Sequence, residues 1–300
     1  MWSLVGALLL SVSTQALDGR AVATVPRSLM SYATRPILAS EVSANTMPDP
    51  VAKQAIANML NELKQLGQPN PAQGAWIQSH DGVIASGNLS NRPLPSASLT
   101  KIVTTLASLQ TWGSNYRFIT NISITGNLVG DTLKGDLIIE GGGDPFFVWE
   151  EAIALANKIN QLGIKRIQGN LIVTGRFAMN FETDLIKAAN FLRLAFDSSR
   201  WEGEVAEQYA TMPAGTPKPQ LVILGNIRTV PSNISSKSLI RHASLPLWQI
   251  LKRMNTFSNN EMAEMLASQL GGGRQVAAIA ANATEIPISE INLVNGSGLG

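Results

Sequence analysis

Between residues 116 and 140 the chain changes texture. The stretch reads YRFITNISITGN and then TLKGDLIIE, with Gly-Asn and Val-Gly-Asp turn signals between the two. Alternation of apolar and polar residues marks half-buried strands. On both sides of this block the period is helical. Upstream, Asp49 is suited to an N-cap, Pro50 to the first helical position and Gly67 to a stop. Val51, Ile56, Met59, Leu60, Leu63 and Leu66 then share one apolar face. Downstream, helices are expected over about 147–162, stopping at Gly163, over about 245–254, and from near Ser258 to the Gly271-Gly272-Gly273 triplet. A chain that passes from helix to strands and back to helices is neither all-α nor all-β.

The remaining elements follow from punctuation. GAWIQSHDGVIASGN, 74–88, reads as a hairpin turning at His80-Asp81-Gly82. NRPLPSAS leads into a helix expected to begin at Ser98 and end at Gly113, with Leu99, Ile102, Val103, Leu106 and Leu109 on its apolar side. GGGDP, 141–145, lacks both the Lys-Ser/Thr of a phosphate loop and dinucleotide spacing, so it reads as a sharp structural turn. IKRIQGNLIVTG and QLVILG (220–225) are strand-like, and the rest of 176–235 is less regular. There is no internal repeat.

Composition removes whole classes of chemistry. With no cysteine the chain has no disulfide, no thiolate zinc site and no Cys nucleophile. Its two histidines, His80 and His242, nearly exclude a multi-His metal centre. A net charge of +2 with no Lys/Arg cluster argues against nucleic acid as a partner. Three hundred residues suffice for one large domain or two ordinary ones.

At the N-terminus Leu4–Val12 is apolar but short for a bilayer, and Thr14-Gln15-Ala16 offers small residues for cleavage. Residues 1–16 thus read as a signal peptide and 17–47 as an irregular leader, which implies an exported, periplasmic protein. No Lys or Arg precedes the apolar run, and a buried N-terminal strand or helix is the alternative.

Ser98 and Lys101 stand three apart, on one face of a helix at its start. There the backbone N–H groups have no partner within the helix, and the helix dipole favours developing negative charge. A lysine made partly neutral by burial can take the serine proton. This is a nucleophile that needs no histidine. A capping serine beside a solvated lysine is the plainer explanation. A second candidate is Ser258-Asn259-Asn260, followed by Glu261, Met262, Ala263 and Glu264. Its plainer explanation is a serine N-cap.

Five segments, SASLTKIVTTLASLQTWG, LKGDLIIEGGGDP, GIKRIQGNLIV, HASLPLWQILKRMNTFSNNEMAE and NGSGLG, occur in this order. From about residue 50 onward the chain resembles the low-molecular-mass penicillin-binding proteins of the D-alanyl-D-alanine carboxypeptidase/endopeptidase type. The resemblance implies an α/β, transpeptidase-like fold with an antiparallel sheet between helical layers. That domain would span 48–113 and 239–300, with a β-rich module inserted over 114–238. It implies Ser98 as acylated nucleophile, Lys101 as proton acceptor, Ser258 as relay to the leaving nitrogen and Asn260 as a hydrogen-bonding group for the substrate. Peptidoglycan stem peptides would be the substrates, β-lactams the inhibitors, and no metal or organic cofactor is called for.

One family motif is absent. Such enzymes carry Lys-Thr-Gly or a close variant after the segment matching NGSGLG, and none occurs here; Asn295 also stands where the family usually has Asp. The expectation is a piece of a longer enzyme lacking its later strands. A non-catalytic wall-binding protein and a β-lactamase are the alternatives. Carboxypeptidase versus endopeptidase action, oligomeric state and peripheral membrane association are left open by the sequence.

Overall fold

The computed structural model describes residues 49–68, 73–79, 85–230 and 234–299. The signal-peptide and leader readings, and the His80-Asp81-Gly82 turn, lie outside them. Among the described residues no helix is long and apolar enough to cross a membrane. The chain divides into two compact units, residues 1–94 with 281–287 and residues 95–280 with 288–300.

The first unit holds helix α1 (Pro50–Gln65) and strands β1 (Ala75–Gln78) and β2 (Ala85–Asn88). The Asp49 side chain accepts from Val51 N and Ala52 N, and so caps α1 where the sequence places the cap. Strands β1 and β2 pair antiparallel, as a hairpin requires.

The second unit opens with a single 3-10 turn, Ala97–Leu99, that runs into α2 (Thr100–Trp112). Ser98 therefore lies in a tight turn ahead of the α-helix rather than at its first residue. Gly113 ends α2 with φ 78°, as expected. Next come β3 (Ile119–Ile124), β4 (Asn127–Val129), β5 (Thr132–Lys134), β6 (Leu137–Gly142) and α3 (Trp149–Gln161). After them follow β7 (Arg166–Ile167), β8 (Leu171–Arg176), α4 (Leu185–Phe196) and α5 (Glu204–Thr211). The unit closes with β9 (Val222–Ile223), β10 (Ile227–Thr229), β11 (Lys237–Ala243), α6 (Leu247–Thr256), α7 (Asn260–Gln269) and residues 273–280 of α8 (Gly273–Thr284).

Five strands form a mixed sheet in the order β10-β8-β6-β3-β11. Its β10–β8 and β8–β6 pairs are parallel, and its β6–β3 and β3–β11 pairs antiparallel. A smaller sheet runs β4-β5-β7-β9. The parallel β6–β8 step is bridged by α3, whose acidic Glu150 and Glu151 lie in its first turn and whose Lys158 lies in its last, in accord with the helix dipole. Ile122, Ile139 and Val173 from the sheet pack with Ile153 and Ala156 of α3 and Leu192 and Phe196 of α4 in the main core. Complete burial contributes about 2 kcal/mol for each of the larger side chains.

Helices α6 and α7 make a second core with Phe118, through Leu247, Ile250, Met254, Met262 and Leu266. A third, smaller one joins Ala107 of α2, Ala267 of α7, Leu270 at its C-cap and Val276 of α8. These two clusters fix α2 against α7. The face of α2 differs from the expected one. Leu99 and Ile102 are about half exposed, while Thr100, Lys101, Thr104, Ala107 and Ser108 are buried. The reason is the partner: this face meets backbone at Gly296-Ser297, which asks for hydrogen bonds instead of hydrocarbon.

Candidate active site

The Ser98 turn and the start of α7 converge. Lys101 Nζ donates to Ser98 Oγ at 3.0 Å, to Asn260 Oδ1 at 2.6 Å and to the Ser297 carbonyl at 3.1 Å. Ser258 Oγ donates to Ser98 Oγ at 2.9 Å. All four residues singled out in the sequence therefore meet within one hydrogen-bonded chain, Ser258–Ser98–Lys101–Asn260.

Local structure explains how each is aimed. The cap of α7 is Asn259, whose Oδ1 accepts from Met262 N at 2.8 Å. The middle residue of Ser-Asn-Asn thus satisfies the helix end, and the residues on either side are left for the site. Ser258 holds φ 51° and Ala97, just before Ser98, holds φ 46°. Both lie in the left-handed region that non-glycine residues enter at a cost of about 1–3 kcal/mol. Left-handed backbone at both residues around the Ser98 hydroxyl is typical of a site whose geometry is imposed by its surroundings.

Lys101 is 2% exposed. Burial pushes its amine below the usual lysine value, against the opposing pull of the Glu264 and Glu261 carboxylates. Its three contacts are all to oxygen, so the protonated amine can donate in each of them. Two are oxygen acceptors without a proton, Asn260 Oδ1 and Ser297 O, which take two N–H bonds. Once that amine has lost a proton, the same two acceptors can keep its N–H bonds and leave a lone pair toward the Ser98 hydroxyl.

Sequence reasoning gave no role to two residues that build the surroundings, Thr104 and Glu264. Thr104 Oγ1 donates to Gly296 O at 2.7 Å. Glu264 accepts from Gly296 N at 3.1 Å and from Ser297 N at 2.8 Å. The signal for this pair was the NGSGLG segment, whose glycines permit close approach. Gly298 has φ 75°, and a Cβ there would strike the Ala97 carbonyl and lie 2.5 Å from Thr100 Oγ1. Asn295 turns the loop by accepting from Gly298 N at 2.8 Å while its Nδ2 donates to Leu299 O. The second of these bonds uses a donor that aspartate lacks.

Beside Asn260 and Ser297 a cleft of about 690 Å³ extends to Gly143, Asp144, Arg176 and Phe177 at the ends of β6 and β8. Its far wall is tied to α7, because Gln269 Nε2 donates to Gly143 O at 2.7 Å. Burial of Asp144 pushes its carboxyl up to about 7; Glu151 adds to the rise, while the Phe146 N–H and His242 oppose it. Among the described residues no group of acidic, His or Cys side chains could hold a metal ion.

The sequence model of the D-Ala-D-Ala carboxypeptidase 3 (S13) family matches residues 52–180 and 220–300. Among solved structures, the chain is similar to the predatory endopeptidase Bd3459 of Bdellovibrio bacteriovorus in complex with immunity protein Bd3460. Identity is 27% and the TM-score 0.56, over 71% of this chain and 59% of that one. The penicillin G-acylated form of that endopeptidase matches at 28% identity and TM-score 0.56, over 71% of this chain and 56% of that one. Penicillin-binding protein 4 of Haemophilus influenzae shares the fold at 14% identity and TM-score 0.53, over 80% of this chain and 73% of that one. The chain spans about three fifths of the length of the Bdellovibrio endopeptidase. With 70% of its residues inside the family match, in two segments that carry every residue of the Ser98 cluster, the chain belongs to the D-Ala-D-Ala carboxypeptidase 3 (S13) family.

Proposed function

We propose that this chain supplies the acylation site of a serine peptidase acting on peptidoglycan stem peptides, as a D-Ala-D-Ala carboxypeptidase or endopeptidase. The observation that carries the reading is the contact set of Lys101: a buried amine 3.0 Å from the Ser98 hydroxyl, with two carbonyl acceptors on its other sides.

In this reading Lys101 acts as the neutral amine. As Ser98 Oγ attacks the carbonyl carbon of the penultimate D-alanine, its proton passes to Lys101 Nζ. The new bond is Oγ–C, and the tetrahedral oxyanion faces N–H groups at the start of the Ser98 turn. Ser258, bonded to Ser98 Oγ, carries a proton to the departing nitrogen. The C–N bond breaks and an amine leaves. Water then attacks the ester and gives its proton back along the same chain, which restores Ser98 and releases the shortened peptide acid. With Oδ1 engaged by Lys101, Asn260 has Nδ2 to offer a substrate carbonyl. A β-lactam carbonyl enters the same attack, but its amine remains tethered and the ester persists. The acylation of Bd3459 by penicillin G supports carrying this step over.

The test is intact-mass measurement after incubation with a fluorescent penicillin. The wild type should gain one adduct and Ser98→Ala none; equal labelling of the two would refute Ser98 as nucleophile. Monomeric pentapeptides and cross-linked dimers as substrates would then separate carboxypeptidase from endopeptidase action. We also propose that residues 1–16 direct export to the periplasm. The N-terminal sequence of the protein recovered from the periplasm would begin after residue 16, and recovery of uncleaved protein from the cytoplasm would refute export.

A further inference from the structure

The Gly296-Ser297 dipeptide is held at four points. Its two N–H groups donate to Glu264 of α7, at 3.1 and 2.8 Å. Its two carbonyls accept from α2, Gly296 O from Thr104 Oγ1 at 2.7 Å and Ser297 O from Lys101 Nζ at 3.1 Å. Every backbone polar group of the pair is thereby used, and a two-residue bracket joins the two helices that carry the site. Gly296 is required for the fit, since a Cβ there would lie 2.5 Å from the Ala263 carbonyl.

We infer that Glu264 is the positioning residue of the site. Through the Gly296-Ser297 bracket it sets where the Lys101 amine stands, and through its charge it sets how readily that amine is freed of its proton. This deepens the acyl-enzyme reading and rests on it for the effect on acylation.

The two actions oppose one another. The bracket places the Ser297 carbonyl so that one Lys101 N–H is occupied, which leaves the lone pair of the deprotonated amine free to turn toward Ser98. The carboxylate meanwhile favours the protonated amine. The charged groups acting on Lys101 are Glu264 and Glu261, both on α7, against the burial that favours the neutral form. Glu261 makes no bond to the bracket. It supplies charge without position, which makes it the comparison residue.

The experiment uses the full chain with Glu264→Gln, Glu264→Ala and Glu261→Gln. The penicillin acylation rate is measured against pH, and lysine 13Cε resonances are titrated by NMR, with a Lys101→Met spectrum identifying Lys101. Thermal melting establishes that each variant is folded. Glu264→Gln is nearly isosteric and retains one acceptor. It should lower the plateau acylation rate about tenfold, because misplacement of a reacting group by a fraction of an ångström is enough for such a loss. Glu264→Ala, with no acceptor, should lower the plateau further. Both should move the Lys101 titration, and the rising limb of the rate profile, to lower pH. Glu261→Gln should move the titration the same way and keep the wild-type plateau.

A wild-type plateau in Glu264→Gln, or a Lys101 titration that does not move, overturns the inference. If the wild type forms no adduct while the Lys101 titration still moves in Glu264→Gln, the acyl-enzyme reading fails and the hold of Glu264 on Lys101 stands.

Discussion

Replacing Gly296 with alanine tests the bracket by space alone. Gly296 is not among the residues with positive φ, so its backbone accepts a side chain without dihedral strain. The obstruction is α7. The new Cβ would lie 2.5 Å from Ala263 O and closer still to Ala267 Cβ, whereas ordinary contact begins at 3.4 Å. Ala263 and Ala267 are 0% and 2% exposed and have no side-chain rotamer by which to yield. The loop must therefore retreat by 3.4 − 2.5, about 0.9 Å. Its bonds to Glu264, now 3.1 and 2.8 Å, then stretch toward about 4.0 and 3.7 Å, beyond hydrogen-bonding range. Two bonds to a charged acceptor, at about 1.5–3 kcal/mol each, put the loss of stability on the order of 3 kcal/mol. For a chain of this size that is a melting point lower by roughly 5–10 °C. Displacement of the Ser297 carbonyl by nearly an ångström should slow acylation about a hundredfold. The assay is the second-order rate of labelling by a fluorescent penicillin, read by intact mass beside thermal melting. A Gly296→Ala protein that is acylated within threefold of wild type and melts at the wild-type temperature would refute the reasoning.

Two further predictions concern pH. Because burial lowers the Lys101 amine below its ordinary 10.5, acylation should rise with pH as that amine loses its proton and reach half its maximum below pH 10.5; a midpoint at or above 10.5 refutes the assignment. Asp144 has its folded-state value raised from 3.8 to about 7, so its contribution to stability is present in full below 3.8 and is lost as pH rises through about 7. At about 1.36 kcal/mol per unit the whole span is on the order of 4 kcal/mol. Asp144→Asn keeps the acceptor for Phe146 N and removes the titration. Its denaturant stability should gain on wild type by a few kcal/mol between pH 4 and pH 8, and parallel curves would disprove the effect.

What could be read from the sequence was local. Ser98 and Lys101 lie one turn apart, Ser258-Asn259-Asn260 marks a helix start, though the cap proves to be Asn259 and not Ser258, and Asp49-Pro50 announces another; each is decided by neighbours within four residues. Missed elements have identifiable causes. The strand Lys237–Ala243 carries a register shift between Ser238 and Ile240, which breaks the period of two. The helix Leu185–Phe196 has a good cap in Asp184, which accepts from Ile186 N and Lys187 N, yet sits in a stretch dominated by loop signals. The helix Gly273–Thr284 begins at a glycine, the residue that normally announces an end. The apolar reading of α2 failed at Leu99 and Ile102, which are about half exposed, while Val103 and Leu109 do pack against the apolar clusters; the part of the buried face at Lys101 and Thr104 meets peptide backbone, for which hydrophobic periodicity has no sign. The meeting of Ser258 with Ser98 across 160 residues has no trace in periodicity either, and became visible only through family resemblance.

The four-point bracket also has a consequence for biosynthesis. Thr104 and Lys101 find their carbonyl partners 192 and 196 residues further along the chain. Contacts of such separation form late, after the local and sheet contacts that shorten the intervening loop. Before residue 297 has left the ribosome and docked, the helix after Ser98 shows water a stripe of threonine, serine and lysine, and an amine in water keeps its proton. A nascent or partly unfolded chain therefore carries the serine without a base. On the acyl-enzyme proposal, capacity to form an ester at Ser98 would be acquired only once the Gly296-Ser297 contacts have formed, which would make acylation a reporter of their docking.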